Sequence, residues 1–219
     1  MKKANALLCT APLLCYNGNI VTDIHGGVCG VLDELRDKVM NCDKCRLAAT
    51  RTNAVFGVGP PGARVVFVGE GPGEQEDLKG EPFVGRAGAL LDKMLAATGF
   101  SRGENIYIAN MVKCRPPGNR DPQPDEVDAC IGYLRQQIHI INPLFIVCLG
   151  RVAAKALIDP DFRVTVQHGQ FVQKDSVWMM GTFHPAALLR NPNQKPDAFD
   201  DFCKLRDRLA ELLKEEKKQ

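Results

Sequence analysis

The chain has 219 residues, of which 45% are hydrophobic and 25% charged, and its net charge is +2. This composition fits one globular domain with a substantial core, and it excludes a protein that binds nucleic acid through its overall charge alone. Nine cysteines are an odd number, which suits a reducing compartment and metal ligands better than a disulfide framework.

The first 29 residues differ from the rest of the chain. Lys2 and Lys3 precede an apolar run that resembles a short signal peptide, but Pro12 interrupts the run and no small-residue cleavage site follows. We predict that 1–29 is a poorly ordered extension, or the product of a start site placed too far upstream, and that 30–219 is a single domain. No segment is long and apolar enough to span a bilayer, so we expect a soluble, cytoplasmic protein with no membrane partner.

From residue 30 onward, apolar residues recur at regular intervals. Apolar runs predict strands at RVVFV, NIYIAN, PLFIVCLG, FVQ and VWMMGTF. Helical periodicity predicts helices around VLDELRDKVMNC, over 87–97 with Gly99 as the stop, from about 125, at RVAAKALI, and from 197 into the polar tail. The first helix should bury Val31, Leu32, Leu35 and Val39, and the last Phe199, Phe202, Leu205, Leu209 and Leu212.

This alternation of strands and helices indicates an α/β fold. We predict a three-layer α/β/α sandwich with a central, mostly parallel sheet of about four strands. Such folds place their sites at the carboxyl ends of the strands. Three predicted strand ends carry unusual residues, namely GEGPG, the segment from Asn110 to Pro117, and HPAALLRNP. We therefore expect these three loops to meet at one edge of the sheet.

The loop GEGPGEQEDLKGEPFVG, which follows the first strand, combines glycines with carboxylates. Glycine-rich turns between a strand and a helix often bind phosphate, but the acidic residues here would repel an anion and no Walker lysine follows. The glycines instead favour a flat, neutral group such as a base or a sugar, with carboxylates as hydrogen-bond acceptors or proton carriers. The alternative is an ordinary acidic loop between a strand and a helix.

Four motifs together resemble a known family. GEGPGEQED, EPFVGRAGALL, NMVKCRPPGNRDP and HPAALLR occur in this order at the spacing of family 4 uracil-DNA glycosylases, the iron-sulfur type. The resemblance covers roughly residues 30–213. It implies a monofunctional glycosylase that hydrolyses the N-glycosidic bond of uracil in DNA, single-stranded or paired with guanine or adenine. The products would be free uracil and an abasic site, from which base excision repair begins.

The cysteines support the same interpretation on separate grounds. Cys42 and Cys45 form a close pair, whereas Cys114 and Cys130 lie far along the chain. A zinc ribbon normally has a second close pair, so this spread favours a cubane cluster held by four thiolates. Cys130 alone, on an apolar helix face, is also compatible with a core residue. The resemblance implies that all four are ligands of a [4Fe-4S] cluster with a structural role, while we interpret Cys148 and Cys203 as core.

The resemblance also implies roles around the base. Phe83 would stack on the flipped uracil, Asn110 would read its edge, and His184 would donate a hydrogen bond to a uracil carbonyl as negative charge develops. A lone phenylalanine in this position is also compatible with a hydrophobic plug. Cytosine presents the opposite order of donor and acceptor, so a fixed asparagine amide can reject it.

The identity of the water-orienting base is left open by the sequence. The best-known uracil-specific branch of the superfamily has an aspartate two residues after the first glycine of this loop, and the corresponding residue here is Gly71 within the uracil-binding loop. Glu70 is the nearest carboxylate and our first choice, and Glu76 is the second. Asp77 and a purely electrostatic mechanism are the remaining alternatives.

Contacts with DNA are expected from two loops. The proline-rich loop would contact phosphates through Lys113, Arg115 and Arg120. The alternative is that this loop is a solvated basic segment without a role in binding. In the HPAALLR loop, Leu188 would fill the space left by the flipped base, and Arg190 would contact a flanking phosphate. Leu188 could instead be an ordinary core residue.

Two other functions also fit parts of the sequence. One is a superfamily variant that bonds covalently to the abasic sugar, but the histidine of its extended basic loop is missing from KCRPPGNRDP. The other is a nonenzymatic iron-sulfur DNA-binding module, which would not need Phe83, Asn110 and His184 at strand ends. The expected partners are uracil-containing DNA and, among proteins, a sliding clamp or other repair proteins. We expect a monomer.

Overall fold

The computed structural model describes residues 15–16, 19–20 and 27–216. Two short strands, β1 (Cys15–Tyr16) and β2 (Asn19–Ile20), pair with each other in antiparallel orientation. The predicted extension 1–29 lies largely outside the described residues, although the first helix begins at Gly27, before the predicted domain start.

A five-stranded sheet forms the centre of the fold. Its strands are β3 (Val65–Gly69), β4 (Ile106–Asn110), β5 (Phe145–Leu149), β6 (Phe171–Lys174) and β7 (Val177–Thr182). The strand order is β4-β3-β5-β7-β6, and the first four are parallel, whereas β6 pairs antiparallel with β7. The prediction of a mostly parallel sheet is therefore confirmed, with one antiparallel edge strand beyond the four parallel ones.

Helices cover both faces of this sheet. They are α1 (Gly27–Met40), α2 (Glu74–Lys79), α3 (Arg86–Ala97), α4 (Pro124–Ile141), α5 (Arg151–Leu157), α6 (Val164–Gln167), α7 (Pro185–Arg190) and α8 (Lys195–Glu216). One hydrophobic core lies between the sheet and α1, α4 and α5, and a second lies between the sheet and α3, α7 and α8. Because β3, β4 and β5 are fully buried on both faces, their near-continuous apolar runs have a physical cause. The three-layer sandwich is confirmed.

The predicted helices lie where the structure has them, but some residues predicted to be buried at the edges of the apolar faces are exposed. Leu32, Leu35 and Val39 are buried as expected, but Val31 is 46% exposed and its assignment to the core is wrong. Phe199 is 39% exposed, so it too lies at the margin of the stripe that α8 buries. Gly99, with φ +78°, ends α3 as predicted. Among the described residues, none of the helices combines the length and apolar character needed to cross a membrane.

Candidate active site and cysteine cluster

The carboxyl ends of the parallel strands open into one cavity of about 600 Å³. Three loops line it, those that follow β3, β4 and β7, and the start of α5 closes a further side. The chain places them together because parallel strands all end at the same edge of the sheet. The residues that line the cavity include Glu70, Gly71, Glu76, Phe83, Asn110, Arg120, Asp121, Arg151, His184 and Arg190.

Asn110 ends β4 and lines this cavity. The residue is 2% exposed, and its Oδ1 atom has no hydrogen-bond partner among the described residues. A buried acceptor without a partner costs about 1–3 kcal/mol, so such atoms call for an explanation. A Cβ added to Gly69 would lie 2.4 Å from this oxygen. Asn110 therefore brings a buried acceptor without a partner to the wall of the cavity, packed closely against Gly69.

Phe83 forms an aromatic wall of the cavity in an unusual backbone conformation. Its φ is +53°, a left-handed value that is strained for a bulky residue. Arg102 holds this turn by donating from Nη1 to the Pro82 carbonyl at 2.8 Å and from Nη2 to the Phe83 carbonyl at 3.0 Å. A Cβ added to Gly88 would lie 1.8 Å from the Phe83 carbonyl oxygen, so only glycine fits there. The turn therefore fixes the position of the ring.

His184 lies directly before α7 and faces Phe83, with ring centroids 5.6 Å apart. Its Nδ1 accepts the Ala186 N–H at 3.1 Å and so caps the helix. Burial lowers the pKa of His184 to about 4, Arg190 acts in the same direction and Glu76 opposes. The imidazole is therefore neutral at physiological pH, and because Nδ1 is an acceptor, the ring hydrogen resides on Nε2.

Glu70 lines the cavity, and its environment alters the pKa of its carboxyl group. Burial raises its pKa to about 7, and the charge and hydrogen bond of Asp121 act in the same direction, while Arg151 lowers it. Arg151 also pairs with Asp121, so the three side chains form one polar group at the cavity wall. A carboxyl with a pKa near neutrality is suited to proton transfer.

Glu76, the second candidate base, has a different environment. Its Oε1 accepts the N–H groups of Val84 at 2.9 Å and Gly85 at 3.0 Å, so it fixes the segment after Phe83. Asp77 is 3% exposed and accepts the backbone N–H groups of Thr52 and Asn53. Both carboxylates therefore have structural partners, which leaves Glu70 as the better placed candidate.

Gly71 lies in the cavity wall, at the position that leaves the identity of the water-orienting base open in the sequence. A Cβ at this position would come within 2.7 Å of Val112 Cγ2, and Val112 is fully buried. A rigid, buried valine gives way only at a cost in packing. This contact explains why the position is glycine in the present chain.

The predicted phosphate contacts differ in their exposure. Lys113 is 1% exposed, and its ammonium donates to the Asn110 carbonyl at 2.9 Å and to Gln137 Oε1 at 2.5 Å, so its assignment as a phosphate contact is wrong. Arg120 forms a forked pair with buried Glu126. Arg115 donates to Asn119 and lies 3.5 Å from Glu74. The two arginines reach solvent, but each charge already has an acidic neighbour.

The HPAALLR loop also requires a correction. Leu188 is fully buried in the core beneath α7, so it cannot act as a wedge without unpacking the helix. The next residue, Leu189, is 40% exposed, and Arg190 is exposed at the cavity. The prediction made for Leu188 is therefore wrong. The motif carries two adjacent leucines, and the helix turns the second one outward.

The four predicted ligand cysteines converge from three separate parts of the chain. Cys42, Cys45, Cys114 and Cys130 line one small cavity next to α1 and α4. Cys114 Sγ accepts a hydrogen bond from Arg51 Nη1 and Cys130 Sγ accepts one from the Lys113 N–H, both at 3.2 Å. In the range 27–216, no three His, Cys, Asp or Glu side chains form a site for a single metal ion. Four thiols around a cavity, with N–H donors to sulfur, are the donor set that an iron-sulfur cluster takes.

The other cysteines with described side chains have different surroundings. Cys148 is fully buried in β5, as predicted for a core residue, and burial raises the pKa of its thiol to about 12. Cys203 is only partly buried.

Three residues near the cavity were not predicted from the sequence. Asp121 and Arg151 modify Glu70, and Arg102 holds the turn at Phe83. The position of Arg151 two residues after the end of β5 was a usable signal, because strand ends form the site. Arg102 gave no such signal, since its contact with Phe83 depends on how α3 packs.

Known proteins similar to this chain include several uracil-DNA glycosylases. The sequence model of the uracil DNA glycosylase superfamily matches residues 56–209, which include every loop that lines the cavity. The chain is 47% identical over 182 residues to the type-4 uracil-DNA glycosylase of Archaeoglobus fulgidus, covering 80% of this chain and 91% of that protein. It is 43% identical over 184 residues to the type-4 enzyme of Sulfurisphaera tokodaii, covering 80% and 84%. It is 46% identical over 167 residues to that of Thermotoga maritima, covering 74% and 84%.

Proposed function

Because this chain belongs to the uracil DNA glycosylase superfamily and is a uracil-DNA glycosylase, we propose that it hydrolyses the N-glycosidic bond of uracil in the cavity described above. The substrate is DNA, single-stranded or with uracil paired to guanine or adenine, and the products are free uracil and an abasic site. The observation that carries this proposal is the unpartnered Oδ1 of Asn110 beside the ring of Phe83 and the neutral imidazole of His184.

Recognition of the base depends on Asn110 and Phe83. The Oδ1 atom accepts the N3–H of uracil, and the amide nitrogen donates to the neighbouring carbonyl. Cytosine has no hydrogen at N3 and presents an amino group beside it, so it would leave two buried polar groups unsatisfied. The ring of Phe83 stacks on the flipped base and adds affinity without distinguishing one base from another.

Departure of the base is assisted by His184. As the glycosidic bond breaks, positive charge develops on the sugar and negative charge on the uracil. The Nε2–H of the neutral imidazole donates to a uracil carbonyl and stabilises that charge, while the Ala186 N–H holds the ring in this tautomer. Burial supports this arrangement because it disfavours the charged imidazolium.

The attacking water is oriented by Glu70 in its ionised form. Its pKa of about 7 makes a substantial fraction of the carboxylate available near neutrality. The developing positive charge on the sugar favours that ionised form further. Glu76 is the second candidate, and its bonds to the Val84 and Gly85 N–H groups favour a supporting role.

Contacts with the DNA would come from cations at or near the cavity that reach solvent. Arg190 is the best placed to contact a flanking phosphate, with Arg115 and Arg120 as further candidates. Leu189, rather than Leu188, is the leucine available to fill the stack from which the base is flipped.

The cofactor that we propose is a [4Fe-4S] cluster held by Cys42, Cys45, Cys114 and Cys130. Bound there, it supplies a crosslink between the segment after α1, the loop after β4 and α4, and it takes no part in bond cleavage. The cavity lined by the four thiols and the N–H donors to Cys114 and Cys130 support this assignment.

A direct assay of product tests the proposed reaction. Purified protein is incubated with single-stranded and duplex oligonucleotides that contain uracil, and free uracil and abasic sites are quantified beside matched thymine substrates. We expect equal amounts of uracil and abasic product and no stable protein–DNA adduct. Asn110→Asp should weaken uracil excision, whereas Phe83→Ala should weaken binding of all bases alike. A covalent adduct without free uracil would overturn the proposal.

The remaining predictions concern the wider context of the enzyme. We propose that 30–219 forms one glycosylase domain preceded by the extension 1–29. The expected monomeric state, cytoplasmic location and partnership with a sliding clamp or other repair proteins stay predictions from the sequence.

A further inference from the structure

A buried lysine lies between the base-reading residue and the cysteine cavity. Lys113 is 1% exposed, and its ammonium donates to the Asn110 carbonyl and to Gln137 Oε1. Gln137 in turn donates to the Phe56 carbonyl at 2.9 Å and to the Tyr107 hydroxyl at 3.2 Å. The ammonium is therefore held at one place by an internal polar network that is itself buried.

Among the residues that the structure describes, no carboxylate balances the charge of this lysine. The ion pairs found within residues 27–216 do not include Lys113, and its two side-chain partners are a carbonyl and a neutral amide. An unpaired charge inside a protein costs several kcal/mol, so buried ammonium groups are normally paired. Hydrogen bonds to neutral groups reduce this cost only in part.

The cysteine cavity offers the missing negative charge. Lys113 lines the same cavity as Cys42, Cys45, Cys114 and Cys130. It directly precedes Cys114 in the chain, and its backbone N–H donates to Cys130 Sγ at 3.2 Å. An iron-sulfur cluster with four thiolate ligands carries a net negative charge. A cation enclosed beside it experiences little screening by solvent.

We propose that Lys113 is the buried counter-charge of the iron-sulfur cluster and that the same ammonium holds the Asn110 carbonyl. The assignment rests on the cofactor proposed above. It links the cluster and the base-reading residue through one side chain, because the ammonium contacts the end of β4 while the backbone of the same residue contacts a cluster ligand. Lys113 is thus a positioning residue, since it acts through Asn110 and does not touch the base.

A simpler role is that Lys113 only supplies hydrogen bonds to Asn110 and Gln137. The two roles predict different effects of a neutral replacement. A neutral donor can supply the hydrogen bonds to Asn110 and Gln137, but it cannot supply the positive charge beside the cluster. Lys113→Gln removes the charge and keeps a donor, whereas Gln137→Glu keeps the lysine and neutralises it with a new carboxylate. Lys44→Gln is a matched control, because Lys44 lines the same cavity but is exposed, over the ring of Tyr133.

The test uses purified holoprotein without DNA. Two quantities are measured for each variant, the rate of iron transfer to a chelator and the reduction potential of the cluster. Lys113→Gln and Gln137→Glu should release iron about 10–100-fold faster than the unsubstituted protein, the usual loss when a group supporting a metal site is removed. Both should also lower the reduction potential, because loss of a nearby positive charge disfavours adding an electron. Lys44→Gln should change either quantity much less.

The possible outcomes distinguish the proposed cofactor from the proposed role of Lys113. Protein without iron after anaerobic purification would overturn the proposed cofactor. Protein that contains iron, but whose iron release and potential are the same in Gln137→Glu as without the substitution, would overturn the role of Lys113 and leave the cofactor intact. If Lys113→Gln does not fold, Gln137→Glu decides together with Gln137→Met, which also loses the hydrogen bonds that Gln137 donates to Phe56 and Tyr107 but adds no charge. Faster iron release and a lower potential in Gln137→Glu than in Gln137→Met support the role of Lys113, and equal values in the two variants overturn it.

Discussion

Replacing His184 with asparagine separates the two functions that this side chain combines. The imidazole Nδ1 accepts the Ala186 N–H and so caps α7, while Nε2–H is the donor available in the cavity. Asparagine is among the best N-cap residues, so its side-chain oxygen can take over the cap, but it is too short to reach the base. His184→Ala loses both functions and provides the comparison.

The expected magnitudes follow from these contacts. Loss of one donor to a developing anion lowers the rate about 100–1000-fold, whichever of the two substitutions is made. Loss of the cap adds about 1 kcal/mol of destabilisation in His184→Ala only. Single-turnover excision rates and urea unfolding measure the two effects separately. A rate for His184→Asn close to that of the unsubstituted enzyme would refute the donor role.

The pKa of His184 provides an independent check on the same substitution. Its folded-state value of about 4 is below the ordinary 6.5, so the unfolded chain binds the proton first as the pH falls. The stability that the neutral imidazole contributes is therefore complete above pH 6.5 and is lost between pH 6.5 and 4, by up to about 3 kcal/mol. His184→Asn should lose less stability over that range. Equal acid sensitivity of both proteins would contradict the buried, neutral imidazole.

Three further predictions test other parts of the site. The pH profile of kcat/KM should rise with an inflection near pH 7, Glu70→Gln should remove this rise, and Asp121→Asn should shift it to lower pH. An unchanged profile in Glu70→Gln would exclude that carboxylate as the base. Leu189→Ala should slow excision from duplex DNA but not from a single strand, whereas Leu188→Ala should cost about 2–5 kcal/mol of stability, which comparative rates and melting curves distinguish. Arg102→Met should weaken binding of free uracil, measured by calorimetric titration, and unaltered affinity would show that Phe83 needs no support.

The sheet and the meeting of its loops were predictable because they depend on local patterns and one topological rule. Strands buried on both faces have near-continuous apolar sequences, as RVVFV shows. Once strands and helices alternate, the sheet is parallel and its strand ends share one edge. That rule brought Glu70, Asn110 and His184 into one cavity without any knowledge of side-chain contacts.

The failures came where burial depends on packing between distant segments. Lys113 looked like an exposed cation because it stands in a proline-rich loop, yet Gln137 of α4 supplies a buried acceptor 24 residues away. Leu188 and Leu189 cannot be distinguished by composition, and only the orientation of a short helix decides which of them is buried. The prediction that Val31 is buried was wrong for a similar reason, because periodicity gives the direction of the buried face of a helix and not its width.

Burial shifts two titrating groups of the cavity, Glu70 and His184, toward their neutral forms. It raises the pKa of Glu70 to about 7 and lowers that of His184 to about 4. For Glu70, the stabilising effect of the raised pKa is complete below pH 4.5 and is lost as the pH rises through 7, whereas that of His184 is lost as the pH falls below 6.5. The summed contribution of these two groups to the stability of the folded state is therefore greatest between about pH 4.5 and 6.5. Glu70 is mostly ionised only above pH 7. A cavity that is most stable when neutral suits an uncharged base. Catalysis, however, requires ionised Glu70, and burial makes this ionised form unfavourable in the folded protein. The variant Glu70→Gln should therefore be more stable than the active enzyme at pH 8.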